Sequence, residues 1–255
     1  MRVLKEVDLD PHDRQKRLPG WQQERIAGAK CLVVGAGALG NEVIKNLLQL
    51  GVQKITVVDF DEVVPANLNR CVFFTPEDAA EGRKKAEVIA QRAREHYPQA
   101  QVTAVLKRVE QLPEVFYGSF EYGFGCLDNL GARLHVNAQL YAANTPFIDG
   151  GTTGYLGKVQ VVRSPGPCLE CSMSQSDYAL LWRRYSCTGE GLDMADPKMP
   201  ALPTTTSIVA GLQAKEFVKM AHGQPSLQGH LAYYNGLDGK LNTYQVDKRV
   251  GCPIH

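Results

Sequence analysis

The chain has no apolar run long enough to cross a bilayer as a helix, which takes roughly 20 residues, and no basic leader followed by a short apolar stretch. The expectation is a cytoplasmic protein with no membrane partner. An excess of charge is missing too: 28 Lys and Arg stand against 27 Asp and Glu, a formal net charge of +1. Such a chain exerts no broad pull on a phosphate backbone, so nucleic acid is not expected as a partner. Low-complexity tracts and fixed-period repeats are absent, which excludes solenoids and propellers. Cysteine is less scarce. Seven of them without a secretory signal point to a reducing compartment, where paired cysteines serve metals or catalysis more often than disulfides.

What is present is organised around residues 30–70. Residues 31–34 form a short apolar run that suits a buried strand. Gly35, Gly37 and Gly40 follow at G-x-G-x-x-G spacing, and Val43, Ile44, Leu47 and Leu48 then fall on one face of a helix. A β-branched run from Ile55 to Val58 ends in Asp59. Strand, glycine turn, helix, strand and acid, with the acid about 20 residues beyond the glycines, is the layout of a dinucleotide-type site. Glycines let the backbone approach a phosphate, the helix N-terminus offers N–H donors, and Asp59 can accept from a ribose hydroxyl.

The rest of the chain divides at about residue 150. Residues 1–29 read as a polar, partly helical arm, in which Arg14 and Gln15 suit a solvated face on pattern alone. The nucleotide-binding half spans 30–149. Pro65-Ala66-Asn67 breaks the strand signal, 82–97 reads as an amphipathic helix over Val88, Ile89 and Ala93, and 102–106, 122–127 and 146–149 read as strands around a helix at 130–144. Alternating strands and helices predict a mostly parallel, Rossmann-like α/β sheet with helices on both faces and Asp59 and Asp128 at its carboxyl edge. The half at 150–255 begins with a glycine-rich loop (150–157) and a strand (158–162). An irregular stretch at 172–203 leads to a helix from Thr204 to Ala221, capped by Thr204 or Thr205, with Ile208, Leu212 and Phe217 buried. Strands at 231–235 and 241–246 form an antiparallel hairpin about Asp238-Gly239. All 255 residues are read as one domain.

Cys168 and Cys171 form a C-x-x-C pair, and Cys252 and His255 a second pair at the same spacing. Four such donors suit tetrahedral Zn²⁺ in a closed, structural site; the alternative is a metal-free thiol cluster. Cys187 stands apart behind Arg183 and Arg184, which would favour its thiolate. Cys31 is a core residue, while Cys71 and Cys126 are packing neighbours of the site. Arg70, Lys85 and Asp128 are unremarkable singly. With Asp59 they provide cations and a second carboxylate, which suits a triphosphate and Mg²⁺ better than a hydride-transfer cofactor.

The segments VVGAGALG, VDFDEVVPANLNR, GRKKAEV, CLDN, DGGTTGYLGKVQVV, PCLEC and LPTTTSIVAGLQAKE resemble, in that order, the motifs of the ubiquitin-activating adenylation superfamily. That superfamily includes the molybdopterin-synthase and thiazole-pathway adenylyltransferases, and the resemblance runs from Arg14 to Cys252. It implies that Asp59 holds the ATP ribose and that Asn67 and Arg70 match the asparagine and arginine of an N-L-x-R motif whose arginine meets phosphate. Lys85, next to an ambiguous Lys84, would be the phosphate lysine, and Asp128 would lie near the Mg²⁺-bound phosphates. Asp61 and Asn129 join the nucleotide-binding set. Arg14 would reach into a partner subunit's site, which implies a homodimer. Cys187 matches the loop cysteine, and Cys168, Cys171 and Cys252 match zinc ligands, whereas His255 departs from the usual fourth cysteine. The implied reaction is ATP-dependent adenylation of a β-grasp protein ending in Gly-Gly, then a thioester on Cys187 for a conjugating enzyme. A sulfur-carrier adenylyltransferase is the alternative. A non-catalytic partner subunit and an NAD-binding oxidoreductase are weaker readings.

Overall fold

The computed structural model describes residues 9–174 and 200–255. Cys187, with nearly all of the irregular stretch, lies outside the described residues.

β1 (Lys30–Val34) is buried from Cys31 onward. Its side chains divide by alternation: Cys31 and Val33 join one apolar core, Leu32 and Val34 the other. A strand buried on both faces belongs in the middle of a parallel sheet. β2 (Lys54–Val58) pairs with it in parallel, and β3 (Gln101–Val105) lies beyond β2. The chain then crosses to the other side of β1 for β4 (Tyr122–Gly125) and β5 (Phe147–Thr153), still parallel. β6 (Leu156–Val162), β7 (His230–Asn235) and β8 (Lys240–Gln245) extend the same sheet antiparallel, in the order β3-β2-β1-β4-β5-β6-β7-β8. The expected fold class holds. Because β2 and β4 leave β1 in opposite directions, a crevice opens beyond the carboxyl ends of β1 and β4, where open α/β sheets take their ligands.

In the arm, α1 (Asp13–Lys16) and α2 (Gln23–Gly28) are short. α3 (Ala38–Leu50) buries Val43, Ile44, Leu47 and Leu48 as its periodicity predicts, and ends in the left-handed Gly51. α4 (Pro76–Ala80) precedes α5 (Lys85–His96), which buries Val88, Ile89 and Ala93. α6 (Glu114–Tyr117) and α7 (Leu130–Ala142) cover the face that holds Leu32 and Val34. α8 (Pro203–Ala221) packs on α3, β5 and β6 from the other side.

Three local expectations are corrected. Residues 150–153 belong to β5, not to a loop, because β6 pairs with β5 from Phe147↔Val162 to Thr153↔Leu156, leaving a tight turn at Gly154 and Tyr155. α8 starts at Pro203 with Leu202 as its N-cap, so Thr204 and Thr205 lie inside the first turn. Proline's fixed φ and missing N–H suit the first helical position, and this outweighs the capping preference of threonine. Ile208 is 39% exposed rather than buried, whereas Phe217 is fully buried against Tyr122 and Phe124.

Candidate functional site

The turn after β1 is built by close approach. A Cβ at Gly40 would lie 1.9 Å from the Gly35 carbonyl oxygen, and one at Gly35, whose φ is +98°, would lie 2.5 Å from that of Cys126. Glycine at these two positions sets the start of α3 directly on the turn. Gly37 differs, since a Cβ there would meet nothing within 4 Å. Its outer side, at the N-terminus of α3, is the open cradle an anion needs.

Asp59 follows β2 and closes this cradle. Its carboxylate accepts from the Ala36 N–H at 2.7 Å and from the Asp61 N–H at 2.8 Å. Burial raises its pKa, opposed by the Ala36 N–H and by the charge of Lys85. Two of the roughly four acceptor positions of a carboxylate are thus used, which leaves capacity for a ribose hydroxyl.

The structure separates the two adjacent lysines. Lys85 Nζ donates to Asp61 at 2.8 Å, is only 12% exposed, and acts electrostatically on Asp59. Lys84 is exposed and pairs with Glu62 and the Phe60 carbonyl. Lys85 is therefore the lysine whose charge reaches Asp59. Burial pushes the Cys71 thiol up to about 11 against the opposing pull of Arg70 and Lys85, which sets all three in one electrostatic neighbourhood with Asp59. The Arg70 guanidinium is folded back on its own turn, donating to the Ala66 carbonyl and to Asn69.

Other expected residues occupy structural positions. Asn67 is buried, and its Oδ1 accepts from the Val64 N–H at 3.1 Å, so this side chain shapes the Pro65–Asn67 turn. Asn129 caps α7 by accepting from the Ala132 N–H at 3.0 Å. Asp128, one residue earlier, is exposed at the carboxyl end of β4. Arg14 is 77% exposed and pairs with Asp13. Its helix is anchored by Gln15, which donates to the Leu50 carbonyl at the far end of α3. A helix of 13 residues spans about 20 Å, so Arg14 does not reach the cradle of its own chain.

Sequence reasoning missed a set of buried polar residues. Asn41 is fully buried, donates to the Ala36 and Gly37 carbonyls, and accepts from the Phe73 N–H, so it ties the glycine turn to the chain that follows Arg70. Arg133 and Asp149 form a two-pronged ion pair behind Asp128, with side chains 11% and 2% exposed. Gln213 of α8 donates to the Gly125 and Ile148 carbonyls at 3.0 and 2.8 Å. Gly125 and Gly150 leave the room, since a Cβ at either would lie within 2.5 Å of Asp149 or Gln213. The available signal was a polar residue inside an apolar stretch: Asn41 beside Val43 and Ile44, and Asp149 ending PFID.

Away from the cradle, Cys168, Cys171, Cys252 and His255 bring their ligand atoms within 4.8 Å of one another. The sulfur separations are 3.9 Å for Cys168–Cys171 and 3.5 Å for Cys168–Cys252, and Cys171 Sγ lies 3.2 Å from His255 Nε2. Tetrahedral thiolates at about 2.3 Å from an ion sit about 3.8 Å apart, so the donor set fits a small four-coordinate metal. Gln160, which donates to the Cys168 carbonyl, and Ser172 brace the knuckle against β6.

Two measurements test this geometry. Gly37→Ala is expected to unfold within about 1 kcal/mol of wild type yet lose nucleotide affinity, whereas Gly40→Ala is expected to cost at least about 2 kcal/mol; denaturation midpoints and ATP titrations separate them. Elemental analysis is expected to find about one metal ion per chain, with Cys171→Ser losing it and a chelator lowering the melting temperature of wild type but not of the variant.

Among the described residues no helix is long and apolar enough to cross a membrane. A profile of the ThiF family matches residues 12–254. The SUMO-activating enzyme subunit uba-2 of Caenorhabditis elegans is 35% identical over 161 residues, 60% of this chain and 27% of that protein. SUMO-activating enzyme subunit 2 of Dictyostelium discoideum is 35% identical over 151 residues, 58% of this chain and 22% of that protein. The chain thus spans about a quarter of the length of the curated relatives it matches. Among solved structures, Escherichia coli MccB with ATP superposes with a TM-score of 0.73 at 19% identity, over 91% of this chain and 68% of that one. PaaA gives 0.73 at 18% identity, over 96% and 85%. These two likenesses are of fold. The matched profile covers almost the whole chain: this protein belongs to the ThiF family, within the ubiquitin-activating adenylation superfamily.

Proposed function

We propose that this protein uses MgATP to activate the C-terminal carboxylate of a small β-grasp protein ending in Gly-Gly. The observation that carries the reading is the row of groups along the sheet's carboxyl edge: pinned Asp59 after β2, the open Gly37 cradle after β1, and exposed Asp128 after β4. Ribose, phosphates and the metal-bearing side of the triphosphate fit that row in order, with Lys85 beside it. Asp128 would hold Mg²⁺, which would supply charge neutralisation for the phosphates. A carboxylate oxygen of the carrier attacks the α-phosphorus, the bond to the β-phosphate oxygen breaks, and pyrophosphate leaves. The nucleophile is already ionised, so the enzyme's part is positioning and charge neutralisation. Arg70 must swing off its own turn to take part.

The Cys187 thiolate then attacks the acyl carbonyl, AMP leaves, and the thioester is passed to a conjugating enzyme. The similarity to SUMO-activating enzyme subunits supports this ubiquitin-like branch. Adenylation of a sulfur-carrier protein is the second reading, supported by the ThiF family profile over residues 12–254, which fits that branch as well. The Cys168, Cys171, Cys252 and His255 knuckle is assigned to Zn²⁺ in a structural role, because four protein ligands leave no open position. Residues 150–255 are assigned to carrier binding, and the cytoplasm to the site of action.

Incubation with ATP, Mg²⁺ and candidate carriers is expected to give a thiol-sensitive adduct on a non-reducing gel that Cys187→Ala abolishes. AMP production without an adduct favours the sulfur-carrier reading, and no carrier-dependent pyrophosphate exchange with any carrier overturns both. Since Arg14 cannot serve its own cradle, a homodimer is proposed in which it serves the partner's. Arg14→Ala and Lys85→Ala are each expected to lose about 10³-fold in exchange rate, and mixing them to restore a substantial part through dimers holding one intact site. A mixture as inactive as its components overturns the shared site.

A further inference from the structure

The strand order fixes which way a nucleotide must lie. With its phosphates on Gly37 after β1 and its ribose on Asp59 after β2, the base continues outward, one strand spacing of about 4.8 Å further, to the end of β3. The backbone there is tied to the ribose acid, as the Asp59 N–H donates to the Val105 carbonyl at 3.2 Å. Two side chains stand at that place. Phe60, next to Asp59, is 40% exposed, and the Arg108 guanidinium lies 4.6 Å from the centroid of its ring. The Arg108 backbone is fixed as well, since its N–H donates to Gln111 Oε1 at 3.0 Å and the following Val109 is buried. Leu106, 39% exposed, adds an apolar edge.

A guanidinium plane resting on an aromatic ring has one face covered and one face free. We propose that the free face of Arg108, backed by Phe60, is the stacking platform for the nucleobase, so that this pair sets the preference for a purine nucleotide. The inference rests on the adenylation reading and adds to it the residue that selects the base. Stacking scales with the π-surface of the ligand, so purines gain more than pyrimidines. Alanine substitution at such platforms typically weakens binding by about tenfold.

The test is calorimetric titration of the full chain with MgATP, MgCTP and magnesium tripolyphosphate, the last carrying phosphates but no base. Arg108→Ala is expected to weaken MgATP about tenfold, to narrow the ATP-to-CTP ratio, and to leave tripolyphosphate unchanged. Arg108→Lys, which keeps the charge and loses the plane, is expected to behave like Arg108→Ala. Equal losses for ATP and tripolyphosphate would mean that Arg108 acts only as a charge, which overturns the platform. Wild-type binding of ATP with undiminished binding by Arg108→Ala overturns this inference alone. Wild type that binds tripolyphosphate but no ATP overturns the inference together with the nucleotide reading. Arg108 is exposed, so its variants are expected to fold, and their melting temperatures check that they do.

Discussion

The half-buried carboxylate of Asp59 is the constraint from which the carboxyl end of this sheet takes its shape. By accepting from the Ala36 and Asp61 N–H groups it joins the glycine turn after β1 to the chain leaving β2. Burial alone would favour the protonated acid, and its pKa is raised accordingly; the charge of Lys85 and the two N–H donors work the other way. The sign follows from linkage. An acid whose folded pKa lies above its unfolded value binds more protons in the folded state, so its contribution to stability falls as pH rises from the ordinary carboxylate range through the raised value, and stays lost above it. Ionising Asp59 is thus a stability cost, a condition typical of groups kept for binding.

Much of this was legible in the chain because its signals are local. Glycine spacing, β-branched runs and the 3.6-residue period specified β1, α3, β2 and Asp59, and the two C-x-x-C-like spacings specified the four donors that gather at the knuckle. What escaped was set by partners distant in sequence. Asn41 bonds to Phe73, Arg133 to Asp149, and Gln213 to Gly125 and Ile148. Periodicity reads which face a residue is on, not which carbonyl it will meet. The length of β5 was hidden for the same reason: a glycine-rich stretch has poor strand propensity by itself, and pairing with β6 along its whole length overrides that preference.

These missed residues also explain why glycine is dense in the second half of the site. Gly125 and Gly150 are the positions at which buried Asp149 and Gln213 pass the backbone. A buried ion pair is not by itself a strong source of stability. Here it sits behind the first turn of α7, so its geometric effect is specific: the helix that begins just after Asp128 is held to β5 by Arg133, and α8 is held to β4 and β5 by Gln213. Asp128 itself stays exposed and without a hydrogen bond or ion pair among the described residues, while its surroundings are over-determined. That combination suits the role proposed for Asp128, since a carboxylate already engaged by a protein cation would have to be released before it could take a metal-bound phosphate.

The arm completes this arrangement from the opposite end. Gln15 and Gln23 both donate to the Leu50 carbonyl, occupying an acceptor that α3 leaves unpaired at its C-terminus, and the Gln22 N–H donates to His222 at the end of α8. α3 therefore has its N-terminus open at Gly37 and its C-terminus closed by the arm. Between these ends lie about 20 Å of helix, along which Val43, Ile44, Leu47 and Leu48 are buried in one core. Arg14 projects from this clamp into solvent while its neighbour Gln15 holds the clamp shut. Gln15 thus fixes the end of α3, while Arg14, paired with Asp13, faces away from it into solvent.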